Sequence, residues 1–265
     1  MKSVEFKSKT TGTVLRGRCI EADSGQDISP LVIMLTGDGR KGTKSLSWVN
    51  MPPKLQEVGI SSFLFDFEGL GNSEGERRSL SLTTGMDNFR SAYEFLKQQD
   101  WVDSQRIAAF ASSFGAAVLL LVPEIANALK AIGLKSPAAF IPDAYFYEVG
   151  DAKFDVWRSE GFLEENGYDF AVLVEALRHN VYASTLTIDT PCFITQGDRD
   201  EIVPLQHTKY LYECLGAADK HLEVFEGVGH GYSEGDAWDR MATMFVRWFQ
   251  EKLSESLPEV PEGAR

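Results

Sequence analysis

The chain has 265 residues, 43% of them hydrophobic and 11% aromatic, enough for one buried core and without the composition of a disordered chain. Its 39 acidic against 26 basic residues leave a formal charge of −13, and long-range repulsion argues against nucleic acid or an acidic membrane surface as a partner. Three scattered cysteines, Cys19, Cys192 and Cys214, read neither as a disulfide framework nor as a metal site, and free thiols fit a reducing cytoplasm.

No basic, apolar-cored leader is read from Met1-Lys2-Ser3-Val4. The longest apolar runs, 107–110 and 116–122, fall far short of a bilayer span, so the chain is expected to stay in solution. A β-hairpin is expected through Val4-Glu5-Phe6 and Val14 to Cys19. Beyond it, short apolar runs bounded by Gly, Pro or polar turns predict strands near 31–36, 61–66, 106–111, 131–135, 191–196 and 221–225. Helices fill the gaps. The clearest are Met86 to Lys97, with Phe89, Tyr93 and Leu96 on one face, and Ala237 to Leu253, with Met241, Met244, Phe245, Trp248 and Phe249 at helical spacing. Strands alternating with helices predict an α/β fold, a mostly parallel sheet flanked by helices, as a single domain over 1–265.

The stretch 138–187 interrupts that alternation and is long for a loop. It holds Phe140, Tyr145, Phe146, Tyr147, Phe154, Trp157, Phe162, Tyr168 and Phe170. Such rings either hold an insertion together or line a ligand pocket, and the sequence alone assigns none of them. The segment 257–263 has no period and reads as a loose end. There is no internal repeat.

Chemistry is concentrated at Ser113. It sits in Ala111-Ser112-Ser113-Phe114-Gly115, between the apolar run 107–110 and the run 116–121, so a buried strand turns into a helix at this serine. A strained turn of that kind needs small residues two positions before and after it, here Ala111 and Gly115. It exposes a hydroxyl at the tip of the sheet and aims the N–H of Phe114 at an oxygen bound beside it. Small residues around a serine also arise by chance, so partners must decide. The strand-like run 191–196 leads into Gly197-Asp198-Arg199-Asp200, and 222–225 leads into Gly229-His230-Gly231. Asp200 and His230 are the candidates for the acid and the base. Asp198 competes with Asp200; the apolar Ile202-Val203-Pro204 favours Asp200, while Asp198, nearer the strand end, suits capping of local N–H groups. His230 stands between glycines after a strand, whereas His179, His207 and His221 have surface surroundings.

With Leu35-Thr36-Gly37-Asp38-Gly39 and Asp66-Phe67-Glu68-Gly69-Leu70-Gly71-Asn72-Ser73, these motifs resemble the α/β-hydrolase superfamily. The likeness is strongest to bacterial serine esterases of the cinnamoyl-esterase and serine-aminopeptidase-like group. The resemblance implies that 138–187 is a cap over the active site and that a second oxyanion donor is the backbone N–H of Asp38, with Gly39 next in line. Two departures stand out: Thr36 replaces a frequent histidine, and a carboxylate at 38 replaces a usually apolar side chain. A carboxylate aimed inward would oppose the developing negative charge, so Asp38 is expected to point away, toward Arg40 or Lys41, and Asp38→Ala to turn over nearly as fast as the wild type or faster. The implied activity is hydrolysis of a small carboxylic ester, with no metal and no organic cofactor. The partner is a small-molecule ester substrate, and a homodimer stays open. Thioester hydrolysis, acyl transfer and a non-catalytic ligand-binding role on the same fold are the alternatives.

Overall fold

A computed structural model describes residues 1–22 and 28–254, so the segment 257–263 lies outside the described residues. The strands are β1 Lys2–Lys7, β2 Val14–Ile20, β3 Ser29–Leu35, β4 Ser61–Phe65, β5 Val102–Ser113, β6 Ile132–Pro137, β7 Phe162–Leu163, β8 Tyr168–Asp169, β9 Cys192–Gly197 and β10 Lys220–Phe225. The α-helices are α1 Leu46–Gln56, α2 Leu82–Lys97, α3 Phe114–Leu120, α4 Pro123–Ala126, α5 Ile141–Val149, α6 Asp151–Glu160, α7 Phe170–Ala176, α8 Val181–Thr185, α9 Leu205–Cys214 and α10 Ala237–Ser254. Eight strands form one sheet in the order β1-β2-β4-β3-β5-β6-β9-β10. The hairpin β1-β2 and the β2-β4 pair are antiparallel, and every other neighbouring pair is parallel.

Alternation along the central strands explains why they read as unbroken apolar runs. Leu31, Ile33 and Leu35 of β3 enter one core while Val32 and Met34 enter the other; Ala109 and Ala111 of β5 part in the same way from Ala108 and Phe110. Both faces are dry, so neither can be polar. The first core receives α2 and α3. The second receives α10 through Met241, Phe245 and Phe249, the two rings meeting Phe110 edge-on.

Helix α2 begins at Leu82 rather than at Met86. Ser81 caps it by accepting the N–H of Thr84, and the Thr83-Thr84-Gly85 segment that follows is a weak helix former. Gly85 is there for packing: a Cβ on it would lie 2.6 Å from Val118 and 3.0 Å from the Phe114 ring of α3.

Helices α5 to α8 and the small β7-β8 pair lie between β6 and β9. Trp157 and Tyr168 are fully buried here, the indole N–H donating to the Tyr168 carbonyl at 2.8 Å. Phe154 and Phe170 meet the Trp157 ring edge-on, so these rings pack on each other, while Phe146 and Tyr147 are exposed.

Candidate active site

Ser113 ends β5 and precedes α3 with φ 51° and ψ −119°. A β-carbon at that φ costs on the order of 1–3 kcal/mol, so the surroundings must impose it. Gly115 is part of the imposition: a Cβ there would lie 2.3 Å from the Thr36 carbonyl oxygen and 2.6 Å from that of Leu35. Backbone cannot rotate away from such an overlap. Gly115→Ala should therefore lower the unfolding free energy by roughly 3 kcal/mol, and an unchanged urea midpoint would contradict this packing account.

The loop after β3 passes beside the serine, since a Cβ on Gly37 would lie 3.4 Å from Ser113 Cβ and 3.9 Å from Oγ. It is held from below by Asp66, whose carboxylate accepts the N–H groups of Thr43 at 2.7 Å and Asn72 at 2.9 Å. That carboxylate joins the loops after β3 and β4.

On the other side of Ser113 stand the loops after β9 and β10. His230 Nδ1 is 2.8 Å from Asp200 Oδ2 and 3.0 Å from Oδ1. Oδ1 also accepts the N–H groups of Ile202 and Val203, and Oδ2 accepts the Gln196 amide at 2.7 Å; Gln196 in turn accepts the Thr208 hydroxyl. Burial pushes the Asp200 carboxyl up, but the His230 bond and charge and the two backbone N–H groups outweigh it and hold it below its ordinary value. Asp198 does not meet the imidazole; it accepts the N–H of Gly227 at 2.7 Å.

Ser113, His230, Gly37, Asp38 and Phe114 line one cavity of about 540 Å3, whose far wall is Ile141, Ala144, Tyr145 and Glu148 of α5. Of the nine aromatic residues singled out in 138–187, Tyr145 is the one on that wall. Ser113 Oγ and His230 make no direct hydrogen bond with each other among the described residues.

The expected partner of Asp38 is corrected. Its carboxylate reaches neither Arg40 nor Lys41 but accepts the hydroxyl of Tyr168 from β8 at 2.8 Å, and its carbonyl oxygen accepts Arg77 Nε at 3.0 Å. Arg40 and Lys41 are exposed, where an ion pair gains little, while the Tyr168 hydroxyl is buried and must find an acceptor. Without that acceptor Asp38→Ala should cost about 1 kcal/mol of stability, read by denaturation, while turnover stays nearly unchanged or rises. An unchanged midpoint would show that the Tyr168 bond adds nothing to stability, and a collapse in rate that the side chain takes part in the chemistry.

Three cavity residues were not singled out from the sequence. Arg77 stacks 4.0 Å from the Tyr168 ring centroid and donates to the Asn166 carbonyl, and no local pattern marks it. Glu148 lines the same wall as Tyr145, where desolvation and then the Asp38 charge raise its carboxyl. Lys135 did leave a signal, a lone cation in the apolar strand β6.

Residues 78–256 match the sequence profile of the prolyl oligopeptidase family. The chain belongs to that family. The chain is 26% identical to the uncharacterised protein YfhR of Escherichia coli K12 over 85% of its own length and 72% of the relative's. Among solved structures, ferulic acid-bound Est1E of Butyrivibrio proteoclasticus superposes with a TM-score of 0.82 at 19% identity, covering 95% of this chain and 100% of that one. Mouse alpha/beta hydrolase domain-containing protein 10 superposes with a TM-score of 0.77 at 16% identity, over 95% and 99%. The fold is that of the α/β hydrolases, as its sheet order requires. No helix among the described residues is long and apolar enough to cross a membrane.

Proposed function

We propose that the protein is a serine hydrolase that cleaves small carboxylic esters. The observation that carries this reading is the 2.8 Å bond between the buried Asp200 carboxylate and His230, which lines the same cavity as Ser113 in its strained turn. His230 takes the Ser113 proton as the hydroxyl attacks the carbonyl, and Asp200 holds the ring in the tautomer whose Nε2 is free to accept. The N–H groups of Phe114, first residue of α3, and of Asp38 stabilise the oxyanion. The alcohol leaves with the proton from His230; water, deprotonated by the same imidazole, then releases the acid from the acyl-enzyme.

Cavity size favours a small substrate, because α5 closes the far side and about 540 Å3 holds a drug-sized molecule rather than an extended peptide. Ferulic acid on the structurally similar Est1E points the same way. Three free thiols suit a cytoplasmic location. A fluorophosphonate should label the wild type on the peptide carrying Ser113, and p-nitrophenyl and hydroxycinnamate esters should turn over faster than an acyl thioester or a prolyl p-nitroanilide. An unlabelled wild type would favour a ligand-binding role, and faster anilide cleavage would move the assignment to peptides.

A further inference from the structure

Lys135 breaks the apolar run of β6 and is buried, 5% exposed. Desolvating an ammonium is costly, so its place in the cavity wall needs a reason. Register sets it beside Ser112 of β5 on one side and Thr195 of β9 on the other. It thus stands between the strand that ends at Ser113 and the strand that leads to Asp200. Its Nζ donates to the carbonyl oxygen of His230 at 2.8 Å and lies 4.9 Å from the ring centroid of Tyr232, whose hydroxyl is tied to Thr195. Gly229 and Gly231 flank His230, so the main chain there has little steric restriction of its own. Asp200 holds the ring at Nδ1, and a second hold on the main chain fixes where the ring starts from.

We propose that Lys135 is a positioning residue for His230, its ammonium pinning the His230 carbonyl to β6 and so fixing the imidazole relative to Ser113. This rests on the reading of Ser113, His230 and Asp200 as the triad. A charge-assisted donor holds more strongly than a neutral amine. Burial lowers the Lys135 ammonium from 10.5 to about 8, against the opposing pull of Asp200. The charged and titratable groups around it are Asp200 and His230 from the loops after β9 and β10, Tyr232 beneath, and Asp38, Arg40, Lys41, Arg77, Tyr145 and Glu148 on the remaining cavity walls.

The test uses Lys135→Met, Lys135→Arg and Lys135→Gln in the full chain, with p-nitrophenyl butyrate as substrate. Lys135→Met should lower kcat about tenfold and the fluorophosphonate labelling rate in parallel, with little change in KM. Lys135→Arg restores a charged donor and should recover most of the rate. Should arginine not fit, Lys135→Gln, a neutral donor, should fall between wild type and Lys135→Met. Wild-type kcat should decline above a pH of about 8 as the ammonium titrates, whereas Lys135→Arg keeps its plateau and Lys135→Met is flat at its lowered level.

A lower melting temperature with unchanged kcat and pH profile would make Lys135 merely structural and overturn the proposal. So would a faster Lys135→Met, or a raised KM at constant kcat, which would assign the lysine to substrate. Failure of the wild type to label at Ser113 would instead sink the triad reading itself.

Discussion

Replacing Ser113 by alanine should lower kcat on a p-nitrophenyl ester by about 10^6-fold, since the proposed acyl-enzyme can no longer form. The loss should appear with little change in substrate affinity, because the Cβ, the cavity and the N–H groups of Phe114 and Asp38 remain. A second substitution separates chemistry from strain. Alanine keeps a Cβ at φ 51° and therefore keeps the strain. Ser113→Gly removes it and should be more stable than Ser113→Ala by about 1 kcal/mol, read as a higher urea midpoint, while being equally inactive. Substantial turnover by either variant would show that another nucleophile acts. Equal stability of the two would mean that the turn is relaxed.

Asp200→Asn should cost roughly 10^3- to 10^4-fold in kcat, and Asp198→Asn less than about tenfold. Asparagine at 200 can still accept the N–H groups of Ile202 and Val203 through its oxygen. Its NH2 then faces either the Gln196 amide, which now donates to Oδ2, or the His230 ring. Donor meets donor in the first case, and the imidazole is driven to the wrong tautomer in the second. Asp198, by contrast, only accepts the N–H of Gly227. The reverse ranking of the two variants would assign the acid to Asp198. Stability should follow the same carboxylate. Its folded value lies below the ordinary one of 3.8, so the contribution is complete above that pH and is lost as pH falls through the lower folded value. In Asp200→Asn that part of the acid dependence should vanish.

Much of the architecture was legible because its causes are local. Strands buried on both faces are continuous apolar runs, and each of the six expected after the hairpin overlaps a strand of the sheet. The start of α2 was displaced because the residue that packs it against α3, Gly85, is a poor helix former. Around the cavity, the serine at a strand-to-helix turn and the histidine between glycines could be picked out by spacing. The restraints on them could not. Tyr168 meets Asp38 across 130 residues of chain, and Lys135 meets His230 across 95.

What the amino-acid order determined by itself was the set of elements, since burial period and turn residues act within a few positions, together with the residues able to supply a nucleophile, a base and an acid. Tertiary structure alone decided which acid faces the imidazole, which way the Asp38 carboxylate turns, and that an ammonium lies behind His230. Those outcomes depend on hydrogen bonds whose two ends are brought together only when the loops after β3, β9 and β10 close around one cavity.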